Sequence, residues 1–202
     1  MSTVFSKSGL GKYALEAVLI VFSVLLALFL DQALTERREQ QAVDKLVEHV
    51  TEEISGNLGV VNKWLPYHES VIAKIDAHLA STELQKNLIS DTGINYFVLM
   101  EDGVLQDFYS VSAWQLALQS EMFSKLDIDT TQKIAKGYYS QEYVDGTLQG
   151  LVDFTFSREA MDKEQLVHSL TLLRRLMQEL VGQEYTLRRN YEEALSTLNK
   201  QQ

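Results

Sequence analysis

Four histidines are the side chains of this sequence best suited to acid–base or metal chemistry near neutral pH, since the chain has no cysteine. They are His49, His68, His78 and His168. A di-iron helical bundle needs Glu-x-x-His motifs, and none of these histidines follows a glutamate by three residues. His-Glu-x-x-His, Gly-x-Ser-x-Gly and a phosphate-binding glycine loop are also absent from the sequence. The sequence therefore predicts no enzyme, no cofactor and no metal site.

Aromatic residues form the other set that could bind a ligand. Trp114, Tyr138, Tyr139 and Tyr143, with Phe108, could line a pocket for a small molecule. Alternatively these rings are core or helix–helix contacts, which is the commoner role of such side chains.

Charge is distributed unevenly along the chain. The net charge is -10, and residues 1–34 are neutral because Lys7 and Lys12 balance Glu16 and Asp31. The acidic excess therefore lies after residue 34 and makes nucleic acid an unsuitable partner. The acidic pairs Glu52–Glu53 and Glu192–Glu193 are interpreted as solvated helix faces.

An apolar segment near the N-terminus predicts a membrane anchor over residues 13–34. As a helix its 22 residues would extend roughly 33 Å, about the thickness of a hydrocarbon core. A buried globular helix would carry a polar stripe, which the run Val18–Phe22 lacks. A cleaved signal peptide would place Asp31 at a position that favours small residues. The expected organisation is a tail (1–12), a transmembrane anchor (13–34) and a soluble helical domain (35–202).

The orientation of the anchor rests on cations on its two sides. Lys7 and Lys12 precede it, whereas Arg37, Arg38 and Lys45 follow it among acidic residues. We expect the N-terminus in the cytoplasm and the soluble domain on the opposite side of the membrane.

The anchor is expected to continue into a long stalk helix. Its apolar positions repeat at helical spacing: Val43, Val47, Val50, Ile54, Leu58, Val61 and Leu65. Pro66 predicts a kink or turn near residues 62–66, before a second helix that buries Val71, Ile72, Ile75 and Leu79. Beyond it, Tyr96–Met100 and Val104–Tyr109 could pair as a hairpin.

Two further helices are expected in the middle of the chain. Ser112 could cap a short helix carrying Trp114, Leu116, Leu118 and Met122. Asp127 or Asp129 could cap the next helix, which runs toward Phe154.

The C-terminal region has the clearest period in the sequence. Apolar residues alternate at spacings of four and three, with Glu184 the sole charged member: Leu166, Leu170, Leu173, Met177, Leu180, Glu184, Leu187, Tyr191, Ala194 and Leu198. This heptad-patterned helix could pack inside its own chain or against an identical helix. In the second case Leu166, Leu173, Met177, Leu180 and Leu187 would be oligomer contacts.

Two regions of the sequence carry more specific motifs. One is Gly11-Lys12-Tyr13 through Glu16, the span ending Ala27-Leu28, and then Asp31-Gln32 and Glu36-Arg37-Arg38. The other is the stretch from Ser112-Ala113-Trp114 to Ser120, followed by Leu126-Asp127 and Tyr138-Tyr139. Both regions resemble an uncharacterised bacterial family of short single-span proteins, a domain of unknown function, although Ser23 and Ala33 depart from the family's usual glycine and tryptophan. The resemblance implies the architecture and a bacterial origin, hence an inner-membrane anchor with the soluble domain in the periplasm, and it implies no activity.

Together these patterns predict an all-α chain: a transmembrane helix continuing into a stalk, then an antiparallel helical bundle ending in the long heptad-patterned helix. The expected function is that of a membrane-anchored scaffold or interaction protein, a homo-oligomer whose further partners are the bilayer and other membrane proteins. The alternative is an extracytoplasmic sensory or ligand-binding helical bundle.

Overall fold

The computed structural model describes residues 7–104 and 107–200 of the chain. Most of these residues are helical, in α1 (Lys7–Ala80), α2 (Thr82–Lys86), α3 (Ser112–Gln119), α4 (Ile128–Thr155), α5 (Arg158–Met161) and α6 (Leu166–Leu198). Short 3-10 turns occupy Tyr96–Val98, Glu121–Lys125 and Lys163–Gln165, and the two-residue strands are β1 (Ile89–Ser90) and β2 (Gly93–Ile94). The prediction of an all-α chain is therefore confirmed in its main point.

The chain divides into two compact units, Met1–Lys45 and Leu46–Gln202, and α1 contributes residues to both. In the first unit the large apolar side chains between Leu15 and Leu34 are exposed. Four consecutive ones, Val18 to Val21, occupy a whole helical turn and are each more than half exposed. By length and composition, α1 is the one helix in the described part of the chain that could cross a membrane. Of the predicted tail, residues 1–6 lie outside the described residues.

In the second unit α1 buries the predicted apolar face. Val47, Val50, Ile54, Val61 and Leu65 are all buried, and Leu58 is partly so. The predicted turn near residues 62–66 and the separate helix after it are wrong, because α1 continues through Pro66 to Ala80.

The helix tolerates Pro66 because the proline lies on its outer face. Leu65 and His68, on either side of it, are buried, and Val71 and Ile75 extend the same buried face. Pro66 itself is exposed. The carbonyl that loses its helical partner belongs to Asn62, which is also exposed and can bind water instead. Packing along the inner face thus outweighs the local preference against helix.

Replacing Pro66 by alanine is expected to raise the free energy of unfolding of this unit by about 1–3 kcal/mol, since alanine restores one backbone hydrogen bond. Urea unfolding of the full chain in a mild detergent, followed by tryptophan fluorescence, measures the change, because Trp64 and Trp114 both lie in this unit. Ser55→Ala, an exposed change in the same helix, should alter stability by less than about 0.5 kcal/mol. Equal or lower stability of Pro66→Ala would contradict this account of the helix.

Helices α4 and α6 pack closely against each other. All ten heptad positions of α6, from Leu166 to Leu198, are buried, as their spacing predicts. At Gly137 of α4 an added Cβ would lie 3.0 Å from the ring of Tyr191, so glycine permits this close approach. Of the two candidate caps of α4, Asp127 fills the position and accepts a hydrogen bond from the Thr130 amide at 2.9 Å.

Side-chain contacts fix how α6 runs beside its two partners. On α1, Asn57, His68 and Asp76 contact Tyr191, Glu184 and Arg174 respectively. On α4, Ser140 bonds Asn190 and Thr147 bonds Gln183. Because residue numbers rise on α1 and α4 as they fall on α6, α6 runs antiparallel to both.

The segment between α2 and α3 differs from its prediction. β1 and β2 pair with Ile89 opposite Ile94. The predicted hairpin of Tyr96–Met100 with Val104–Tyr109 is wrong in its first strand, which begins with the 3-10 turn Tyr96–Val98. Leu99 and Met100 are both buried, whereas consecutive strand residues point to opposite faces. Residues 105 and 106 of the second strand lie outside the described residues.

The N-terminus of α3 also differs from its prediction. Ser112 is the first helical residue, and the capping position is held by Val111, whose side chain makes no capping hydrogen bond. The amides of Ala113 and Trp114 instead donate to Glu53 of α1. Met122 falls in the next 3-10 turn, outside α3.

Candidate binding site

An apolar cleft lies where the β1–β2 hairpin and the turn Tyr96–Val98 meet the C-terminal end of α4 and α5. Its base depends on close contact between Gly93 and Met161. Gly93 has φ +139°, and an added Cβ would lie 2.9 Å from Met161 Cε, so no larger residue fits. The Tyr96 hydroxyl donates to the Ala160 carbonyl at 2.6 Å and holds the turn on α5. Burial raises the pKa of Tyr96, which keeps that donor protonated.

The cleft has a volume of about 620 Å³, within the range of small-molecule sites. Its apolar lining includes Ile94, Phe97, Met100, Val152, Phe156 and Met161. Phe97 and Phe156 are 71% and 83% exposed and stand at its edge. Its polar lining consists of Ser90, Thr92, Asn95 and Thr155, besides the Tyr96 hydroxyl. Among the described lining residues none is charged, so this surface offers shape and apolar contact rather than ion pairs.

Most polar groups of the cleft are already hydrogen-bonded. Ser90 donates to the Gly93 carbonyl and lies 3.3 Å from the Thr92 hydroxyl, and Thr155 donates to the Val152 carbonyl. Asn95 differs, because its Oδ1 accepts from the Phe97 amide at 3.2 Å. This bond leaves the two N–H donors of the Asn95 amide for another acceptor.

The aromatic residues singled out in the sequence are only partly brought together. Trp114, Tyr138 and Tyr139 line a groove of about 400 Å³ beside α3, where the rings of Trp114 and Tyr138 stack at 4.8 Å and 8°. Tyr143 lies on a different groove, with Gly182 and Thr186, and Phe108 is 83% exposed. The stacked pair is part of the packing between α3 and α4, in accord with the core-contact alternative.

Glu53 joins three helices through its carboxylate. It accepts hydrogen bonds from the Ser110 hydroxyl and Ala113 amide on one oxygen, and from the Trp114 amide and Tyr138 hydroxyl on the other, at 2.6–3.1 Å. Burial acts to raise the pKa of Glu53, but these four bonds outweigh it and hold the pKa below its usual range. The interpretation of Glu53 as a solvated residue is therefore wrong.

Burial of Tyr138 and the negative charge of Glu53 both raise the pKa of the Tyr138 hydroxyl. Next to it, Asn57 bonds the backbone of Ser110 and the side chain of Gln141, which also accepts from Tyr191. This polar network fills the space between the helices.

A buried His68–Glu184 pair crosses the middle of the unit. The His68 Nδ1 atom lies 2.8 and 3.0 Å from the two carboxylate oxygens, and the side chains are 4% and 1% exposed. A hydrogen bond therefore joins the ring and the carboxylate across the two helices. Tyr109 lies beside a void of about 10 Å³ next to the pair, and burial and the charge of Glu184 raise its pKa. The void holds about one water molecule and is too small for a substrate.

The other histidines have separate neighbours. His49 is exposed near Glu52, His78 contacts the Lys74 carbonyl at 2.7 Å, and His168 is exposed. Within residues 7–104 and 107–200, no group of three or more histidine and carboxylate side chains is placed to hold a metal ion.

The five candidate oligomer contacts of α6 lie inside the unit. Their exposed fractions are at most 6%: Leu166, Leu173, Met177, Leu180 and Leu187. Their burial favours the alternative in which α6 packs within its own chain.

Sequence reasoning missed the cleft because its walls come from segments about fifty residues apart. The available signal was Phe97 and Phe156, two large rings in short connecting segments with no helical pattern to bury them.

Comparison with known proteins gives no relative: no family model, no curated protein and no solved structure matches this chain.

Proposed function

We propose that this chain is a membrane-anchored helical interaction protein without catalytic activity, held in a bacterial inner membrane by residues 13–34. The observation that carries the proposal is the exposed apolar surface of α1 between Leu15 and Leu34. Burying each large apolar side chain is worth roughly 1.5–3 kcal/mol, and a bilayer would bury all of them together.

Two polar side chains of this segment, Ser23 and Gln32, make hydrogen bonds that are compatible with a membrane span. The Ser23 hydroxyl donates to the Leu19 carbonyl at 2.8 Å, so it brings no unpaired donor into the hydrocarbon. Gln32 bonds Glu36 at 2.9 Å near the end of the apolar run, where headgroups and water are accessible. The Gln32–Glu36 bond supports an end of the span near residue 34.

Self-association is proposed to use the anchor, because α6 buries its heptad positions inside its own chain. Ser23 and Ala27 lie one helical turn apart, and small residues at this spacing let two membrane helices approach closely. We place the N-terminus in the cytoplasm and the unit Leu46–Gln202 in the periplasm, because the tail before the anchor carries only cations, whereas the cations after it are interspersed with Glu36, Glu39 and Asp44.

Expression in bacteria tests the proposal directly. The full chain should stay with inner membranes after an alkaline carbonate wash and keep its first 34 residues. In bilayers, labelled chains should show energy transfer, and Ala27→Leu should weaken association about tenfold by adding bulk at the contact. Ala33→Leu, the same enlargement about 120° around the helix from Ala27, is the matched control.

Recovery of the chain in the soluble fraction, or a mature sequence that begins after Leu34, would contradict the proposed membrane anchor. A monomer at every protein-to-lipid ratio would overturn self-association and leave the anchor standing.

A second function, a ligand-binding bundle outside the cytoplasm, is favoured by the apolar cleft. In this case the ligand would bind between the hairpin and α4–α5 rather than at the aromatic groove.

A further inference from the structure

We propose that the apolar cleft binds a small, mostly apolar molecule that has a hydrogen-bond acceptor and no negative charge. The cleft lies entirely within the unit Leu46–Gln202, so the proposal goes beyond membrane anchoring and does not depend on it. It names the ligand class of the second function above.

The apolar lining of the cleft is the reason for expecting a mostly apolar ligand. Side chains from four elements converge on about 620 Å³, and the exposed rings of Phe97 and Phe156 would be covered by an occupant. Removing this surface from water is the main source of affinity available to the site.

The side-chain amide of Asn95 is the reason for expecting a hydrogen-bond acceptor on the ligand. Because its Oδ1 is fixed by the Phe97 amide, its N–H₂ group is the donor left to orient a ligand. A carbonyl, ether or hydroxyl oxygen fits this donor, and the other side-chain hydroxyls of the cleft are engaged as described above.

The acidic residues around the edge of the cleft disfavour a negatively charged ligand. Five carboxylates are immediate chain neighbours of lining residues: Asp91, Glu101, Asp102, Asp153 and Asp162. Three cations stand against them: Lys74, which pairs with Glu101 at 2.9 Å, Lys163, which bonds the Asp91 carbonyl at 3.1 Å and keeps its charge, and Arg158 of α5. Five carboxylates against three cations leave an excess of two negative charges. The resulting negative potential disfavours an anionic headgroup, such as that of a fatty acid.

Two probes of equal shape test both features: 2-acetonaphthone, which is uncharged and has one carbonyl, and 2-naphthoate, which carries a carboxylate. The full chain, labelled with ¹³C-methyl methionine, is titrated in lipid nanodiscs, or in buffer if it purifies without lipid. Met100 and Met161 line the cleft, whereas Met122 and Met177 lie elsewhere and serve as internal controls.

We expect the ketone to shift the Met100 and Met161 signals saturably and to leave the other two unchanged. Naphthoate should bind about tenfold more weakly than the ketone, because repulsion from one or two nearby carboxylates in water lowers the affinity by about this factor. Asn95→Ala should weaken the ketone about threefold to tenfold, the value of one hydrogen bond.

Val152→Trp, which fills the cleft from α4, should abolish the ketone-dependent shifts. Gly146→Trp places the same ring at an open, exposed position of the same helix and should bind normally. Unchanged Met177 signals would show that both variants are folded.

Three results would overturn the proposal. These are no saturable shift at Met100 and Met161, an equal shift in Val152→Trp, or naphthoate binding as tight as ketone binding. Shifts that depend on protein concentration without any probe would assign the cleft to a second copy of the chain and overturn the proposal as well.

Discussion

Replacing His68 by leucine is expected to lower the free energy of unfolding by about 3–5 kcal/mol. The substitution leaves the Glu184 carboxylate, which is 1% exposed, without the ring nitrogen that now lies 2.8 Å away. A buried carboxylate without a partner keeps its full desolvation cost. Urea unfolding of the full chain in a mild detergent, followed by the fluorescence of Trp64 and Trp114, measures the loss.

The double variant His68→Leu with Glu184→Leu should recover most of that loss and unfold within about 1–2 kcal/mol of the unmodified chain. Two leucines of suitable size would extend the apolar contact between α1 and α6. His49→Leu is the matched control, because His49 and Glu52 are 67% and 70% exposed and 3.8 Å apart. It should change stability by less than about 0.5 kcal/mol. A double variant as unstable as His68→Leu alone would show that the loss comes from misfit of the new side chain.

Replacing Glu53 by alanine is expected to lower the free energy of unfolding by about 2–4 kcal/mol. The change removes four hydrogen bonds, two of which serve the first amides of α3. Glu52→Ala, at the exposed neighbouring position, should cost less than about 0.5 kcal/mol in the same urea assay.

The contribution of Glu53 should also depend on pH. Its pKa is lower in the folded chain than its usual value of 4.5, so the carboxylate stabilises the fold fully above that value. The contribution should be lost as the pH falls from 4.5 through the lower folded pKa. The stability difference between the unmodified chain and Glu53→Gln should therefore shrink over this interval. A difference independent of pH would contradict the assignment of the lowered pKa to Glu53.

The parts of the fold that follow from local periodicity could be predicted from the sequence. Every position that the α6 spacing identified is buried, including Glu184, because a single helix face decides which residues are covered. The spacing missed Ser169 and Asn190, two polar residues that are also buried. Periodicity did not reveal what covers that face. The partner of Glu184 is His68, 116 residues earlier, and no local pattern links the two.

Predictions based on one residue were weaker when tertiary contacts opposed them. Pro66 disfavours a helix locally, yet buried residues on both sides of it keep α1 continuous. Glu53 belongs to an acidic pair that looks solvated, but α3 approaches it from another part of the chain. The cleft was missed for the same reason, since Phe97 and Phe156 become neighbours of one site only after α4 and the hairpin have packed.

The N-terminus of α3 has a consequence for the order of folding. The residue that completes its first turn, Glu53, lies 60 positions before Ala113 in the chain. A helix of eight residues is too short to persist alone in water. We therefore expect α3 to gain its stability only after it has docked on α1. Contacts that form after the rate-limiting step affect the rate of unfolding more than the rate of folding, so Glu53→Ala should speed unfolding more than it slows folding.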